Sequence, residues 1–257
     1  MVCEFSIEHY VDTIEKYKKA GYEIRRFRDL PVMDDPTKSI VLHHDVDLSL
    51  DLALDFARAE CENRIRSTYF ILLYSPLYNT FSPEGIKAIR AIAELGHEIA
   101  LQVDSRWTKY VKGDMRMLED LSHSPVEWYS QHFVHYTPPI THDMLVRYFG
   151  EAITSKDARY YTHMYRKDVH YLSDSSRHWR EGCFCQHIDH YPKLHLLVHP
   201  EWWTGHGNQF DTVDYVRELE ISRLVNEAST WKAILHHDEE KFRIEDEKSR
   251  QEVASQL

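Results

Sequence analysis

The feature that most constrains this chain is a short apolar run, Ser39-Ile40-Val41-Leu42, that leads directly into His43-His44-Asp45-Val46-Asp47. Apolar residues in succession, without a polar alternation, suit a strand buried on both faces, and such strands belong to parallel sheets. Ser49 then caps a helix carrying Leu50, Ala53, Leu54 and Ala57 on one face, and Thr68 to Leu73 follows as the next strand. Strand side chains alternate, so Val41, His43, Asp45 and Asp47 share one face while Ile40, Leu42, His44 and Val46 share the other. The two aspartates therefore stand together at the C-terminal end of a parallel strand, where α/β folds place their ligands and catalytic groups. Carboxylates this close ionise together only beside a cation or hydrogen-bond donors, which makes the pair a metal site or a coupled acid/base pair. A surface turn whose aspartates cap the next helix is the plainer alternative, and the apolar strand weighs against it.

The same alternation continues along the chain. Ser6 caps a first helix with Ile7, Tyr10, Val11, Ile14 and Tyr17 at helical spacing and Gly21 as its stop. Ser82-Pro83-Glu84 starts another, striped with Ile86, Ile89 and Ile92 and ended by Gly96, after which His97 to Asp104 reads as a third strand. Glu127 to His132, Tyr171 to Asp174 and Leu194 to Val198 read as further strands. Between residues 135 and 170 neither period holds and strands cannot be counted. The pattern predicts an α/β fold with a parallel sheet, a (β/α) barrel over residues 1–235 with an open sheet as the alternative, followed by a charged helical or flexible tail at 236–257.

Lys+Arg 31 against Asp+Glu 42 leaves a net charge of −11, a field that repels nucleic-acid phosphates. No run approaches the roughly 18 apolar residues that span a bilayer. The start, Met1-Val2-Cys3-Glu4-Phe5, lacks the basic and apolar regions of a secretory signal, so the expected location is cytoplasmic and the four cysteines are expected as free thiols. The oligomeric state is not readable from the sequence.

Three segments, His44-Asp45-Val46-Asp47, Ser67-Thr68-Tyr69-Phe70 and Gly96-His97-Glu98-Ile99-Ala100-Leu101, together resemble the N-terminal half of the polysaccharide deacetylase (NodB-homology) superfamily. Tyr171-Leu172-Ser173-Asp174-Ser175 with Trp179-Arg180, and Leu196 to Trp203, extend the resemblance to a deacetylase-like branch, over about residues 6 to 203. The resemblance implies a distorted seven-stranded barrel and a hydrolase that cleaves the C–N bond of an N-acylated sugar or related small molecule. It makes Asp45 the general base, Asp47 the ligand of a divalent metal and His199, in Leu197-Val198-His199, the acid that protonates the leaving group. The family's two metal histidines fall here on Gln102 and Arg106, so neither is present.

Asp104 shares the face of Gln102 two residues nearer the strand end and is the candidate replacement ligand; pairing with Arg106 is the alternative. His97 lies on the opposite face and is expected to be structural. An amide oxygen replaces imidazole poorly on zinc, which leaves zinc, manganese, magnesium or no metal open. His132, Asp174, Trp179 and Arg180 are candidate substrate contacts, Arg180 for an anionic group and Trp179 for a sugar face. The stretch Cys183 to His190 holds metal-type donors but lacks the CxxC spacing and a distant second pair, and reads as a loop of free thiols. A metal-independent allantoinase-like C–N hydrolase and a non-catalytic carbohydrate-binding descendant are the alternatives to a metal-assisted deacetylase.

Overall fold

In a computed structural model of the chain, Ser6, Ser49 and Ser82 each accept a hydrogen bond from the backbone N–H three residues on, at His9, Leu52 and Gly85. These caps open α1 (Ile7–Lys19), α2 (Leu50–Glu62) and α3 (Pro83–Glu94), and each satisfies a donor that the helix start leaves unpaired. Gly21 and Gly96, just past α1 and α3, take positive φ, the conformation that lets the chain turn into a strand. The structure describes residues 3–29, 36–104, 111–132, 159–160 and 169–204, with isolated positions at 217–218, 221 and 224–225.

The described strands are β1 (Glu23–Arg25), β2 (Ser39–Val46), β3 (Thr68–Leu72), β4 (Glu98–Asp104), β5 (Trp128–His132), β6 (Arg159–Tyr160), β7 (His170–Ser173) and β8 (Lys193–Leu197). A fourth helix, α4 (Val111–Ser122), links β4 to β5. Every pairing is parallel, in the order β6-β5-β4-β3-β2-β8-β7. β2 divides one of its edges: Ser39 to Val41 pair with β1, and His43 to Val46 pair with β3. The central strand thus carries the aspartate segment, as the buried apolar run requires.

One ring shows that the sheet curls. Phe27, in a short 3-10 turn after β1, contacts Trp128 of β5 at 5.3 Å and His195 of β8 at 5.7 Å. On a flat sheet those strands, four steps apart, would be separated by about 19 Å. The sheet is therefore a partly closed barrel, and Phe27 fills its inside with Val41, Phe70, Ala100 and Trp128. His43 and His195 stack at 4.7 Å in the same interior, and their ring nitrogens meet at 2.9 Å. Burial holds the His195 pKa down to about 3, which favours its neutral form, and His43 Nε2 lies 3.8 Å from Asp45 Oδ1.

The outer face carries Ile40, Leu42, Val46, Tyr69, Ile71, Ile99 and Leu101 against the apolar stripes of α1, α2 and α3. Full burial of a side chain such as Phe56 or Ile89 contributes about 1.5–3 kcal/mol. A charged group sits inside that layer. Glu60 of α2 is fully buried and accepts from His44 Nε2 (3.0 Å), Ser67 Oγ (2.7 Å), Tyr69 Oη (2.8 Å) and Tyr10 Oη. Burial alone would raise its pKa, but His44 and the other partners outweigh it and hold the carboxyl down at about 2. His97 belongs to the same network: its Nε2 donates to Ala57 O (3.1 Å) and its Nδ1 accepts from Ser67. Helices α1 and α2 are thus tied to β2, β3 and the start of β4 through one carboxylate.

The chain divides into two compact units, Met1–Thr212 and Val213–Leu257. The expected boundary at 235 falls within the second unit. No helix among the described residues is long and apolar enough to cross a membrane.

Candidate active site

Five strands end at one rim of the barrel, and each delivers a polar side chain there. Asp45 lies in the last turn of the β2 pleat and Asp47 just beyond it, Gln102 near the end of β4, His132 at the end of β5, Asp174 directly after β7 and His199 shortly after β8. The parallel order brings these ends together, as it does in α/β barrels generally.

Asp47 is the centre of the cluster. Its Oδ1 lies 3.3 Å from His132 Nδ1 and its Oδ2 lies 3.8 Å from His199 Nε2. His132 Nδ1 in turn lies 3.1 Å from the amide nitrogen of Gln102. Burial pushes the Asp45 carboxyl up to about 7, and the neighbouring Asp47 charge adds to the shift. For Asp47 burial acts in the same upward sense, yet the His132 contact and His199 overcome it and hold this carboxyl below the ordinary value. The two aspartates are therefore driven apart in acidity, the arrangement expected of an acid/base pair.

His199 is fixed from behind. Its Nδ1 donates to Asp174 Oδ1 at 2.6 Å, and its backbone N–H points at both Asp174 oxygens at 3.1 and 3.2 Å. Trp203 Nε1 donates to Asp174 Oδ2 at 2.7 Å. Burial works against a charged imidazole, but the Asp174 charge and hydrogen bond, followed by Asp47, raise the His199 pKa to about 10. The charged form of the ring is thus favoured, with Nε2 facing Asp47.

Several oxygens in this rim are buried without a hydrogen-bond partner: Asp45 Oδ1, Gln102 Oε1 and both oxygens of Glu201. Unpartnered buried acceptors of this kind are costly unless a ligand, water or cation meets them. Asp47, His132 and Gln102 place a carboxylate, an imidazole and an amide within contact of one another. Those residues fit a divalent ion, and oxygen-rich donors suit manganese or magnesium better than zinc. His132 brings an imidazole into this cluster from the strand next to that of Gln102.

The remaining sequence-predicted residues fall in different places. Asp104 ends β4 opposite His132 in register, and its side chain, like Arg106 and residues 133–158, lies outside the described residues. Asp174, expected to touch substrate, is fully buried, with its oxygens hydrogen-bonded to His199 and Trp203. Trp179, expected to present a sugar-stacking face, packs its ring on Phe184 at 5.6 Å and toward Trp203 at 6.4 Å, within the outer apolar layer. Arg180 is exposed. His132, also expected as a substrate contact, is spent on Asp47 and Gln102.

Glu201 went unread in the sequence. It is buried, and burial followed by the Asp47 charge pushes its carboxyl up to about 8. It sits in a 3-10 turn, Pro200–Trp202, with no periodicity to mark which way it points.

No family model matches the chain, and no curated protein matches it. Solved structures do. A CE4 family pseudoenzyme from Bacillus anthracis aligns over 74% of this chain and 61% of its own at 11% identity with a TM-score of 0.44. A mutant of that pseudoenzyme with restored enzymatic activity aligns over 74% and 64% at 12% identity, TM-score 0.45, so this chain spans under two thirds of either. The catalytic domain of a peptidoglycan N-acetylglucosamine deacetylase from Eubacterium rectale aligns over 79% and 90% at 14% identity, TM-score 0.43. The similarity is distant in every case.

Proposed function

We propose that this protein hydrolyses the C–N bond of an N-acylated saccharide or a related small amide, with Asp45 as general base and His199 as general acid. The observation that carries the reading is the juxtaposition of the split-acidity Asp45/Asp47 pair with a charged His199 held by Asp174. A base and an acid facing one space are what amide hydrolysis needs, because water must lose a proton and the departing nitrogen must gain one. The saccharide class follows from the motif resemblance.

Asp45, as carboxylate, takes a proton from the water whose oxygen bonds to the acyl carbon. His199 Nε2 then gives its proton to the amide nitrogen as the C–N bond breaks, leaving a free amine and a carboxylic acid. Asp174 and Trp203 hold the imidazole so that Nε2, not Nδ1, faces the reacting atoms. A divalent ion held by Asp47, His132 and Gln102 would supply Lewis-acid polarisation of the acyl carbonyl.

The test is release of amine and carboxylate from a panel of N-acetylated mono- and oligosaccharides, with manganese, with magnesium and with a strong chelator. Turnover that depends on the ion supports the metal-assisted form. Turnover that survives the chelator assigns the metal-independent form. Saccharide binding without turnover, unchanged by Asp45→Ala, would overturn the hydrolase reading in favour of a binding protein.

A further inference from the structure

Cys3 and the Cys183–Cys185 loop are separated by about the whole length of the barrel in sequence, yet they meet in space. Cys3 Sγ lies 3.3 Å from Cys185 Sγ, and His9 Nε2 lies 3.5 Å from Cys183 Sγ. One ligand atom from each of these four residues falls within 4.8 Å of the other three. Three of the chain's four cysteines therefore converge on one point, and all are free thiols. The sequence showed a thiol loop without a second donor pair. The fold supplies that pair from the N-terminal segment and the first turn of α1.

From this geometry we infer a structural zinc site formed by Cys3, His9, Cys183 and Cys185, separate from the rim of the barrel. Three thiolates and one imidazole are a standard closed tetrahedral zinc shell, with edges of about 3.6–3.8 Å for zinc–sulfur bonds near 2.3 Å and zinc–nitrogen bonds near 2.0 Å. With all four donor atoms within 4.8 Å of one another, no separation need change by more than about 1.2 Å to reach that shell. Soft sulfur donors also exclude magnesium, calcium and manganese as the resident ion.

The position gives the ion a mechanical role. Cys183 caps the short 3-10 turn Phe184–Gln186, which follows the loop after Asp174. On the other side, Phe5 packs edge-on to Trp203 at 4.9 Å and the His9 ring stacks over it at 6.3 Å. Zinc would staple the two segments that clamp Trp203, the residue whose indole N–H holds Asp174.

The experiment uses full-length protein made without an affinity tag and purified under reducing, chelator-free conditions. Elemental mass spectrometry should find about one zinc per chain, and cobalt(II) exchanged into the protein should give thiolate charge-transfer absorption with tetrahedral ligand-field bands. Cys185→Ser and Cys3→Ser should each lose the bound equivalent and the thiolate band, whereas Asp47→Asn should keep both, which separates this site from any ion at the rim. Should the variants fail to fold, the cobalt spectrum of the unaltered chain decides alone. A cobalt spectrum without thiolate charge transfer, zinc retained in Cys185→Ser, or a Cys3–Cys185 disulfide found by mass in the reduced preparation would overturn the inference.

Discussion

His199 Nδ1 and Asp174 Oδ1 stand 2.6 Å apart, on the ends of neighbouring strands, with the aspartate sealed from solvent. Asp174→Asn keeps the shape but removes the charge that holds His199 protonated and aimed. We expect kcat on an N-acetylated sugar to fall by about 10²-fold or more, the contribution of a positioned acid, with KM little changed. Steady-state kinetics decide it; an unchanged kcat would remove His199 from the role of acid.

Asp45→Asn is expected to abolish turnover and preserve the fold, because the residue lies at the strand end, its Oδ1 makes no hydrogen bond and its nearest charged neighbour there, His43 Nε2, is 3.8 Å away. Substrate binding measured by calorimetry should persist. Retained turnover would show that another group takes the water proton.

Gln102→His places an imidazole beside His132 and Asp47, where the structure now offers an amide. Nitrogen is the stronger donor for zinc and manganese, so metal affinity at the rim should rise by about tenfold or more. Calorimetric titration of the ion into both proteins reads this out. Equal affinities would mean that residue 102 does not touch the ion, and no binding to either protein would mean that no ion sits at the rim.

Glu60 gives the fold a pH dependence that can be worked out in sign. Its carboxyl is held at about 2 in the folded chain against the ordinary 4.5, so the unfolded chain binds the proton more readily. The stabilisation is present in full above about pH 4.5 and is lost as pH falls through about 2, amounting to about 3 kcal/mol in order of magnitude. Denaturant unfolding at a series of pH values should show this slope in the native chain. Glu60→Gln should flatten it and cost about 1–3 kcal/mol at neutral pH through unsatisfied partners.

Much of this architecture is legible in the residues. Ser6, Ser49 and Ser82 mark their helices because a side-chain oxygen is needed where the backbone has none. The two faces of β2 separate as alternation demands: His44 goes outward to Glu60, and His43 goes inward to His195. Glu60 itself carried a signal, since it follows Ala53 and Ala57 at helical spacing and so puts a carboxylate on an apolar stripe. The rim is less legible. Periodicity marks the end of a strand but says nothing of a turn, so the burial of Glu201 and the contacts that Asp174 and Trp179 make with Trp203 and Phe184 had no signal in the residues. Contacts between distant segments, such as Cys3 with Cys185, have no local pattern at all.

The Phe27 ring, wedged between Trp128 and His195, has a last consequence. Together with Val41, Phe70 and Ala100 it makes the inside of the curled sheet a packed plug, so the strands are held in their curve from within as well as by the helices outside.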